Sequence, residues 1–501
     1  MTSSTTSSAT TGAAAGPVDR PGRLSLGDRV LREAWIWPVL LTVALGLYHL
    51  GRSALWRDEL ATWSAAHRSI PDLVDLLRHV DAVTGPYYLL MHGWTTIAGT
   101  SEVALRLPSV FAMAAAAGFV GLTARKLFGR SAGLVAGCVF ALTPSVSRYA
   151  QEARGYAFAV LAVAAATFFL FRALERPGPR RWLPYGLAVA AAASFHLISL
   201  SILAGHACVV AMRWHRTRER RTAVGFALAC AAGLLPAVPL ALAGSRQVGR
   251  QLDWLTSPSV QYVVDWFWRG LFGSAWYSMC VLVMAVLPMA WHRGRRPAIE
   301  LGLVAILPIP LVWLVSQGGT AYFLDRYLLF TVPGWAVLAA AGLTRLRPRP
   351  LIALALAFLM LICVPDQRAV RKPFIRESFD IRAAAAVIAH GYRPGDGMVT
   401  LRGVYASSML DISLGYYLPA DVRPKDVLVA EDMITRGDLY PKLCADFVAC
   451  LGDTPRVWAV TIGKAPLGFY PKDQTAALTS VFPKQTSTSV RDMTVTLMER
   501  G

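Results

Sequence analysis

Long apolar runs alternate with shorter polar segments from residue 35 to about residue 365. A helix that crosses a bilayer needs about 20 mostly apolar residues, and about eleven runs approach that length. They centre on residues 35–50, 105–124, 131–146, 155–172, 182–196, 197–212, 222–242, 275–291, 298–316, 328–344 and 351–364. Hydrophobic residues make up 55% of the chain and charged residues 16%, which is too apolar for a typical soluble domain. The pattern predicts an α-helical polytopic membrane protein with about eleven transmembrane helices.

Basic residues recur in every second loop between these runs. They lie within residues 20–32, 125–130, 172–181, 213–221, 293–296 and 345–349. Loops rich in Lys and Arg stay in the cytoplasm, so a cytoplasmic N-terminus is predicted in the cell membrane. An odd number of spans then places the C-terminal part outside. The net charge of +19 follows from this topology, and no nucleic-acid partner is predicted.

The two ends of the chain differ from the apolar middle. Residues 1–34 are rich in Ser, Thr, Ala, Gly and Pro, which predicts a disordered cytoplasmic tail and not a cleaved signal peptide. Residues 366–501 contain acids, prolines and short apolar runs, so we predict a small extracytoplasmic α/β domain. Its predicted elements are a helix over residues 382–390 and strands over residues 397–401, 457–462 and 493–498. It has no nucleotide-binding motif.

Cysteine usage agrees with this division. Five of the seven cysteines lie in or beside apolar runs, where cysteine behaves as a small buried hydrophobe. Cys444 and Cys450 lie six residues apart in the C-terminal part. They do not form a metal-binding pattern. Outside the cell they would meet an oxidising environment, so we hypothesise a disulfide bond between them.

The first outer loop, residues 51–104, contains the strongest candidate for chemistry. Asp58 and Glu59 directly follow Trp56 and Arg57 at the end of the first apolar run, and Asp81 follows in the same loop. A carboxylate near an apolar wall is a plausible general base because desolvation raises its pKa. The alternative is an interfacial charge cluster that only orients the first helix. Within the loop, residues 70–80 have the apolar spacing of an amphipathic helix lying on the interface.

Arginines at the outer ends of several spans are candidate anion ligands. Arg106 follows Glu102 by four residues, which is compatible either with an ion pair along the helix or with a contact to an anion. Residues 147–156 hold Arg148 and Glu152, again four residues apart, together with Gln151 and Arg154. This segment is too polar for a purely structural loop. Arg326 heads the tenth span, and it could bind phosphate.

Two further features lie on the predicted outer side. His196 lies at the outer end of the fifth span, where a lone histidine is more often a packed residue than a ligand. Four tryptophans lie in and after the loop of residues 243–274, which suggests an interfacial segment. They are Trp254, Trp266, Trp268 and Trp276. All the unusual polar residues thus gather on one predicted face of the membrane, as a single active site requires.

Five motifs occur together in one order along the chain. They are Trp56-Arg57-Asp58-Glu59, Gly85-Pro86-Tyr87-Tyr88-Leu89-Leu90-Met91-His92, Arg106-Leu107-Pro108-Ser109, Tyr149-Ala150-Gln151-Glu152-Ala153-Arg154-Gly155-Tyr156 and Arg326-Tyr327. With them the sequence resembles the GT-C glycosyltransferases of the protein O-mannosyltransferase and aminoarabinose transferase type, over roughly residues 35–365. Related proteins often carry His-Pro-Pro before the Tyr-Tyr pair, where this chain has Val83-Thr84-Gly85-Pro86. This departure leaves a divalent cation possible and no metal ligand predicted.

The resemblance implies transfer of a sugar from a polyprenyl-phosphate donor on the outer membrane face. The sugar would be mannose or a related one, and the acceptor a cell-envelope glycan, lipid or protein. The implied catalytic residues are Asp58 as base, Glu59 in support and Asp81 as the next candidate. The implied ligands of the donor phosphate are Arg106, Arg154 and Arg326. The implied substrate contacts are Tyr87, Tyr88, Gln151, Glu152, Tyr156 and His196.

Two other classes of protein fit the hydrophobic pattern. A transporter or lipid flippase is also polytopic, but it would place polar residues at mid-membrane and show inverted repeats, which this sequence lacks. A non-catalytic membrane subunit that presents the C-terminal domain to partners is the second alternative. It would leave Asp58 dispensable.

Overall fold

The computed structural model describes residues 35–290, 294–402 and 408–501, together with the isolated Thr2. The predicted tail, residues 1–34, lies outside these ranges apart from Thr2. Each of the eleven predicted runs contains a helix. The bundle helices are Ile36–Leu47, Glu102–Phe128, Arg130–Leu142, Tyr156–Glu175, Pro179–Phe195, Ile202–Thr217, Arg220–Leu234, Ala237–Gln251, Ala275–Ala290, Arg295–Ile306, Pro308–Val315, Val332–Leu343 and Pro350–Ala369. The short 3₁₀ segments Leu197–Ser201 and Asp325–Thr331 precede two of them.

The helices confirm a multi-pass membrane protein, but they do not establish the count of eleven spans. In the described part, six helices are long and apolar enough to cross a membrane, or up to eight if each of two bent pairs is one span. Ile36–Leu47 and Arg130–Leu142 are apolar but shorter. The sharper bend, of 97°, separates Val260–Phe272 from Ala275–Ala290. Gly273 lies at this bend with a φ of +74°, and a Cβ there would lie 2.8 Å from the Ser145 nitrogen.

Small residues let the central helices pack closely. Glu102–Phe128 and Tyr156–Glu175 contact each other, and Ala116, Ala117, Val120 and Val163 are buried members of the cluster that these helices share. Alanine at such contacts allows two backbones to approach, which is how membrane helices gain packing contacts. Helix Val332–Leu343 is buried along almost its whole length. These helices form the rigid part of the bundle on which the outer loop rests.

The first predicted loop is itself helical. It contains Arg57–Ala66, Ile70–His79, the 3₁₀ turn Ala82–Thr84 and Gly85–Ala98. The predicted amphipathic helix is present, and Ser69 caps its start by accepting a bond from the Asp72 amide. Its apolar side chains Leu73 and Leu76 are fully buried in a cluster that includes Met409 and Leu439. The buried part of its apolar face therefore packs on protein, and the position of the helix on the membrane interface stays a prediction.

The C-terminal residues form the predicted α/β unit. Helix Ile381–Gly391 and strands β1 (Gly397–Thr400), β5 (Arg456–Ile462) and β7 (Met493–Glu499) confirm the predicted elements. The sheet also holds β2 (Lys425–Asp426) and β6 (Lys484–Val490), in the order β2-β1-β5-β7-β6, where β1 is parallel to β2 and β5 and the other pairs are antiparallel. A separate hairpin joins β3 (Val429–Glu431) to β4 (Lys442–Leu443). The remaining helices are Leu410–Tyr417, Phe447–Leu451 and Lys472–Val481.

The hypothesised disulfide bond is confirmed. Cys444 and Cys450 are bonded, with their Cα atoms 6.4 Å apart. The bond links the end of β4 to helix Phe447–Leu451.

The C-terminal unit is fixed to the first loop by several polar contacts. Tyr417 donates to Glu102 at 2.5 Å and accepts from the Leu55 amide at 2.8 Å. Arg382 also forms an ion pair with Glu102. Of the two interpretations of the Glu102–Arg106 spacing, the ion pair along the helix is not formed, because Glu102 binds Arg382 and Tyr417 of the C-terminal unit. These contacts place that unit at the same end of the bundle as residues 51–104, which we call the loop side.

Candidate active site

Glu59 is the buried anchor of the loop side. It lies in the first turn of helix Arg57–Ala66, and none of its side chain is exposed. Arg106 clamps its carboxylate with two bonds, from Nε at 2.8 Å and from Nη2 at 2.7 Å. The Ala153 amide donates a third bond at 3.0 Å, and Arg376 donates a fourth. Glu59 thus joins the first loop, two bundle segments and the C-terminal unit.

Despite its burial, the surrounding positive charges lower the pKa of Glu59. Burial raises the pKa of a carboxyl, but the positive charges of Arg106 and Arg376 outweigh burial and lower the Glu59 pKa to about 2. The group is therefore a carboxylate at neutral pH. Its oxygens are occupied by protein donors, so it is placed to hold the loop and not to meet a substrate.

Arg106 has all of its hydrogen-bond capacity filled. Besides the two bonds to Glu59, it donates to the carbonyl oxygens of Leu50 at 2.8 Å, Ser53 at 3.0 Å and Ala54 at 3.2 Å. A guanidinium has five N–H donors, and these five bonds use them all. The predicted phosphate contact of Arg106 has no free donor in this arrangement.

Asp58, by contrast, faces an opening. Successive residues of a helix point about 100° apart, so Asp58 cannot follow Glu59 into the interior. Its side chain is 18% exposed, and its carboxylate lies 3.7 Å from the Arg57 Nε atom. Arg154, Arg326 and Tyr156 interact with it electrostatically. The structure therefore brings the predicted base close to two of the predicted phosphate ligands.

Arg154 is oriented by a polar chain from the first loop. Its Nη1 donates to the Tyr88 hydroxyl at 3.3 Å, and that hydroxyl donates to Asp81 at 2.6 Å. Burial alone would lower the pKa of Arg154, but Tyr88 and Asp58 raise it well above its ordinary value. Arg154 is thus a fixed cation, which Tyr88 orients directly and Asp81 orients through Tyr88.

Arg326 lies in a cluster of aromatic rings and cations. Its guanidinium carbon is 5.8 Å from the centre of the Trp56 ring, 5.6 Å from that of Trp254 and 5.6 Å from that of Tyr327. Arg57 contacts the same two indoles at 5.8 and 5.9 Å. Cations over aromatic faces gain up to about 2 kcal/mol when desolvated. The rings hold Arg326 in place while its Nε has no hydrogen-bond partner among the described residues.

The rings of Tyr156 and His196 pack against Tyr327, the residue that follows Arg326. The ring centres of Tyr156, His196 and Tyr327 lie 5.2 to 6.2 Å apart. His196 Nδ1 has no hydrogen-bond partner among the described residues, so it remains able to contact a ligand. Tyr87 is fully buried, and its ring packs against Phe158 at 5.9 Å. Tyr87 therefore packs in the interior, whereas Tyr156 and His196 pack beside Tyr327.

Gln151 and Glu152 are both buried, with different surroundings. Gln151 Nε2 donates to the carbonyl oxygens of Gly46 at 2.9 Å and Tyr48 at 2.8 Å, which fastens the end of the first bundle helix. Glu152 forms no pair with Arg148, and neither of its carboxylate oxygens has a hydrogen-bond partner in the described ranges. Burial raises the Glu152 pKa, although Arg376 and Arg148 oppose that rise. Neither side chain reaches the surface.

Sequence reasoning missed Arg376, which completes the coordination of Glu59. Its side chain is 5% exposed, and it also donates to the Gln151 carbonyl oxygen. Arg371 is a second missed residue, since it donates to the carbonyl oxygens of Tyr48 and Leu45. Both lie just past the last bundle helix. The available signal was a basic segment, Arg371 to Arg376, beside the predicted outer face, but its partner could not be identified from spacing.

A bound metal ion has no obvious set of ligands on the loop side. In residues 35–290, 294–402 and 408–501, no group of three or more His, Cys, Asp or Glu side chains could hold one. Asp81 already accepts a hydrogen bond from the Tyr88 hydroxyl. The sequence left a divalent cation open and predicted no ligand for it, and no finding tests that point.

Two kinds of comparison identify similar proteins. A family described as dolichyl-phosphate-mannose-protein mannosyltransferase matches residues 86–242, which include Arg106, Arg154 and His196 but not Asp58 or Glu59. A search of curated protein sequences finds no significant match.

Three solved structures have the same fold. The crystal structure of ArnT from Cupriavidus metallidurans in the apo state has a TM-score of 0.63 at 15% identity, covering 93% of this chain and 98% of that one. ArnT from the same organism bound to undecaprenyl phosphate has a TM-score of 0.62 at 14% identity, with coverages of 92% and 97%. The archaeal oligosaccharyltransferase AglB from Archaeoglobus fulgidus, in complex with an inhibitory peptide and a dolichol-phosphate, has a TM-score of 0.50 at 10% identity, with coverages of 87% and 70%.

The fold extends over nearly the whole chain, including the C-terminal unit, because the ArnT match covers 93% of it. The predicted fold class is thereby confirmed. The chain is a multi-pass membrane protein with the fold of ArnT, and its residues 86–242 match the dolichyl-phosphate-mannose-protein mannosyltransferase family.

Proposed function

We propose that the protein transfers mannose or a related sugar from a polyprenyl-phosphate donor to a cell-envelope acceptor on the outer membrane face. One observation carries this proposal. A partly exposed carboxylate, Asp58, lies beside two fixed cations, Arg154 and Arg326, at the loop side of the bundle. Transfer of a sugar from a phosphate to a hydroxyl requires a base for the hydroxyl proton and cations for the charge on the leaving phosphate. The description of the matching family, and the undecaprenyl phosphate bound to ArnT, support a lipid phosphate donor.

In the proposed reaction Asp58 accepts the proton of the acceptor hydroxyl. That oxygen forms a bond to the anomeric carbon of the donor sugar while the bond from this carbon to the phosphate oxygen breaks. The attack inverts the anomeric carbon, and the polyprenyl phosphate leaves with the bonding electrons. Arg154 and Arg326 offset its growing negative charge, which preorganised cations do most effectively in a site that excludes water.

The supporting residues keep this geometry fixed. Asp81 and Tyr88 orient Arg154 through their hydrogen bonds. We assign Glu59 and Arg106 a positioning role, since their mutual bonds fix the first turn of the helix that carries Asp58. Tyr156 and His196 line the position where the substrate would lie, and Tyr87, Gln151 and Glu152 support it from the interior.

The proposal includes a topology and a division of the chain. Residues 1–34 form the cytoplasmic tail, residues 35–365 form the catalytic membrane domain and residues 366–501 form the extracytoplasmic domain. The tail of the lipid donor lies between bundle helices in the bilayer. The acceptor approaches from outside the cell.

The test is sugar transfer by purified protein incubated with radiolabelled polyprenyl-phosphate mannose and a membrane extract. Wild-type protein should label an acceptor, and Asp58→Asn should lower turnover by about 10²–10⁴-fold because it removes the base. Donor binding should be unchanged. Asp453→Asn, which alters an exposed acid of the C-terminal unit, is the matched control and should remain active.

Other outcomes would reject the proposal in different ways. A fully active Asp58→Asn protein would place the base elsewhere, with Asp81 the next residue to change. Movement of labelled lipid across the bilayer without transfer would indicate a flippase. If no acceptor is labelled and donor does not bind, the protein would be a non-catalytic subunit.

A further inference from the structure

A second opening on the loop side is formed by segments outside the Asp58 site. It is a cavity of about 390 Å³, within the range of about 300–1,000 Å³ typical of small-molecule pockets. Its walls come from helix Pro144–Ala150, from the bent segment Val260–Phe272, from the start of the 3₁₀ segment Asp325–Thr331 and from the end of helix Pro350–Ala369. Four elements that are distant in sequence therefore meet to enclose it.

Four charged side chains line this cavity, and they balance in sign. Arg148 and Arg269 are cations, and Asp325 and Asp366 are anions. Across the described ranges, none of these four side chains forms a hydrogen bond or an ion pair. Arg148 and Arg269 are exposed, and Asp325 and Asp366 are half-buried. Their donors and acceptors are therefore available to a polar ligand that enters the cavity.

The sign balance selects among polar ligands. A phosphate would meet two carboxylates as well as two guanidiniums, so the cavity offers it no net attraction. A sugar hydroxyl can both donate and accept, so it can bind an Asp oxygen and an Arg N–H together. A neutral polyhydroxylated ligand uses all four side chains, whereas a simple anion or cation uses half of them.

Aromatic rings complete the lining. Tyr149, Tyr262 and Trp266 face the same space, and the Trp266 side chain is 59% exposed. Arg148 contacts the Tyr149 ring at 5.4 Å, and Arg269 contacts the Trp266 ring at 5.9 Å. The C–H faces of a pyranose ring pack well on flat aromatic surfaces, while its edge hydroxyls bond to the neighbouring charged groups. Rings beside planar polar groups therefore fit a hexose.

The cavity adjoins the proposed reaction centre. Tyr149 lines the cavity and packs against Tyr156 at 5.6 Å, while Asp325 directly precedes Arg326. Gly270 also lines the cavity and lies against Asp325, because a Cβ at this position would collide with the Asp325 carboxylate. A sugar bound in the cavity would thus lie beside residues that neighbour the Asp58 site.

We propose that this cavity is a subsite for a neutral hexose unit of the acceptor, which makes the acceptor a glycan. That the bound sugar belongs to the acceptor rests on the proposed transferase function. The presence of a sugar-binding site does not depend on it. The unit in the cavity holds a glycan chain so that a hydroxyl of a neighbouring unit reaches Asp58.

Direct binding tests the site without turnover. The full chain in phospholipid nanodiscs, where no sugar-headed detergent competes, is titrated with α-mannobiose and separately with inorganic phosphate, and saturation-transfer NMR reports contact. Mannobiose should bind, and Trp266→Ala and Asp366→Asn should each weaken it by roughly tenfold. Trp276→Ala, an exposed tryptophan outside the cavity, should bind as wild type does. Equal binding by all variants, no mannobiose binding, or phosphate competing for the same site would overturn the inference.

Turnover separates this inference from the proposed function. With wild-type protein, label from the lipid donor should appear in a glycan fraction that survives protease and lipid extraction. Trp266→Ala should raise the acceptor concentration for half-maximal rate by roughly tenfold and leave the donor value within about twofold. Label found only in protein or lipid would overturn the glycan assignment while the transferase function stands. A wild-type protein that transfers no sugar would instead reject the proposed function.

Discussion

At the scale of single residues, two adjacent acids have opposite environments. Glu59 is fully buried among four donors, and Asp58 lies partly exposed beside Arg154 and Arg326. The helix backbone separates their directions by about 100°, so one acid can anchor the loop while the other faces the opening. The residues alone singled out the pair without dividing it, and only the family resemblance favoured Asp58 as the base with Glu59 in support. The different burial of the two acids could not be read from adjacent positions in the chain.

Glu59→Gln should destabilise the fold. It leaves Arg106 and Arg376 buried without a countercharge, and breaking a buried pair in this way costs about 3–5 kcal/mol. The free energy of unfolding, measured in nanodiscs at neutral pH, should fall by that amount. Asp453→Asn should leave it unchanged. A Glu59→Gln protein as stable as wild type would show that the arginines have other partners.

The same residue predicts an acid dependence. Its folded pKa of about 2 lies below its ordinary value of 4.5, so its contribution to stability is complete above pH 4.5 and is lost as the pH falls toward 2. Wild-type protein should therefore lose stability over that window more steeply than Glu59→Gln does. Parallel acid titrations of unfolding would contradict this assignment.

Arg154→Ala should weaken both donor binding and turnover, because the cation contacts phosphate in the ground state and in the transition state. Tyr88→Phe keeps the cation and removes only the bond that orients it, so it should lower turnover with a smaller change in donor affinity. The comparison requires donor binding and initial rates for both variants. Normal donor affinity in Arg154→Ala would place the phosphate elsewhere.

At the scale of elements, hydrophobic length predicted the bundle well. Each of the predicted runs contains a helix, because burial in lipid or protein requires long apolar stretches that are readable locally. The missed strand β6, Lys484–Val490, is polar and almost wholly exposed, so it shows no alternation of apolar residues. It forms only because β7 supplies its hydrogen bonds.

Long-range pairing is where sequence reasoning reached its limit. The sequence offered two interpretations of Arg106, an ion pair along its helix or a contact to an anion, and the structure shows a distant partner instead. Its partner, Glu59, lies 47 residues away, and that of Arg376 lies 317 residues away. No spacing rule connects such positions. The site could therefore be assigned to the loop side from sequence, whereas the division between positioning and reactive residues required the fold.

Arg376→Met tests whether the C-terminal segment positions the reactive loop. Loss of one cation from Glu59 should let the first turn of helix Arg57–Ala66 shift, and small displacements of catalytic groups cost up to about 100-fold in rate. The acid limb of the pH–rate profile should move to higher pH, because the Glu59 pKa rises when a cation is lost. Arg376→Lys should restore part of both effects. Arg368→Met, an exposed residue of the preceding helix, is the control.

At the scale of the whole molecule, the first loop and the C-terminal unit share one side of the bundle. We predict that this side is extracytoplasmic. Alkaline phosphatase fused after residue 370 should be active, and green fluorescent protein fused there should be dark. The opposite pattern would place the reactive loop in the cytoplasm and exclude acceptors outside the cell.

The ion pair between Glu59 and Arg376 also sets the order in which the protein can mature. The two residues are 317 positions apart, so at about 5–20 residues per second Arg376 is synthesised on the order of 15–60 s after Glu59. Until then Glu59 in the first loop lacks Arg376, the second cation that binds its carboxylate. A nascent chain already inserted in the membrane would therefore remain inactive. The lipid donor would be consumed only by a protein whose C-terminal unit has been synthesised and has docked on the first loop.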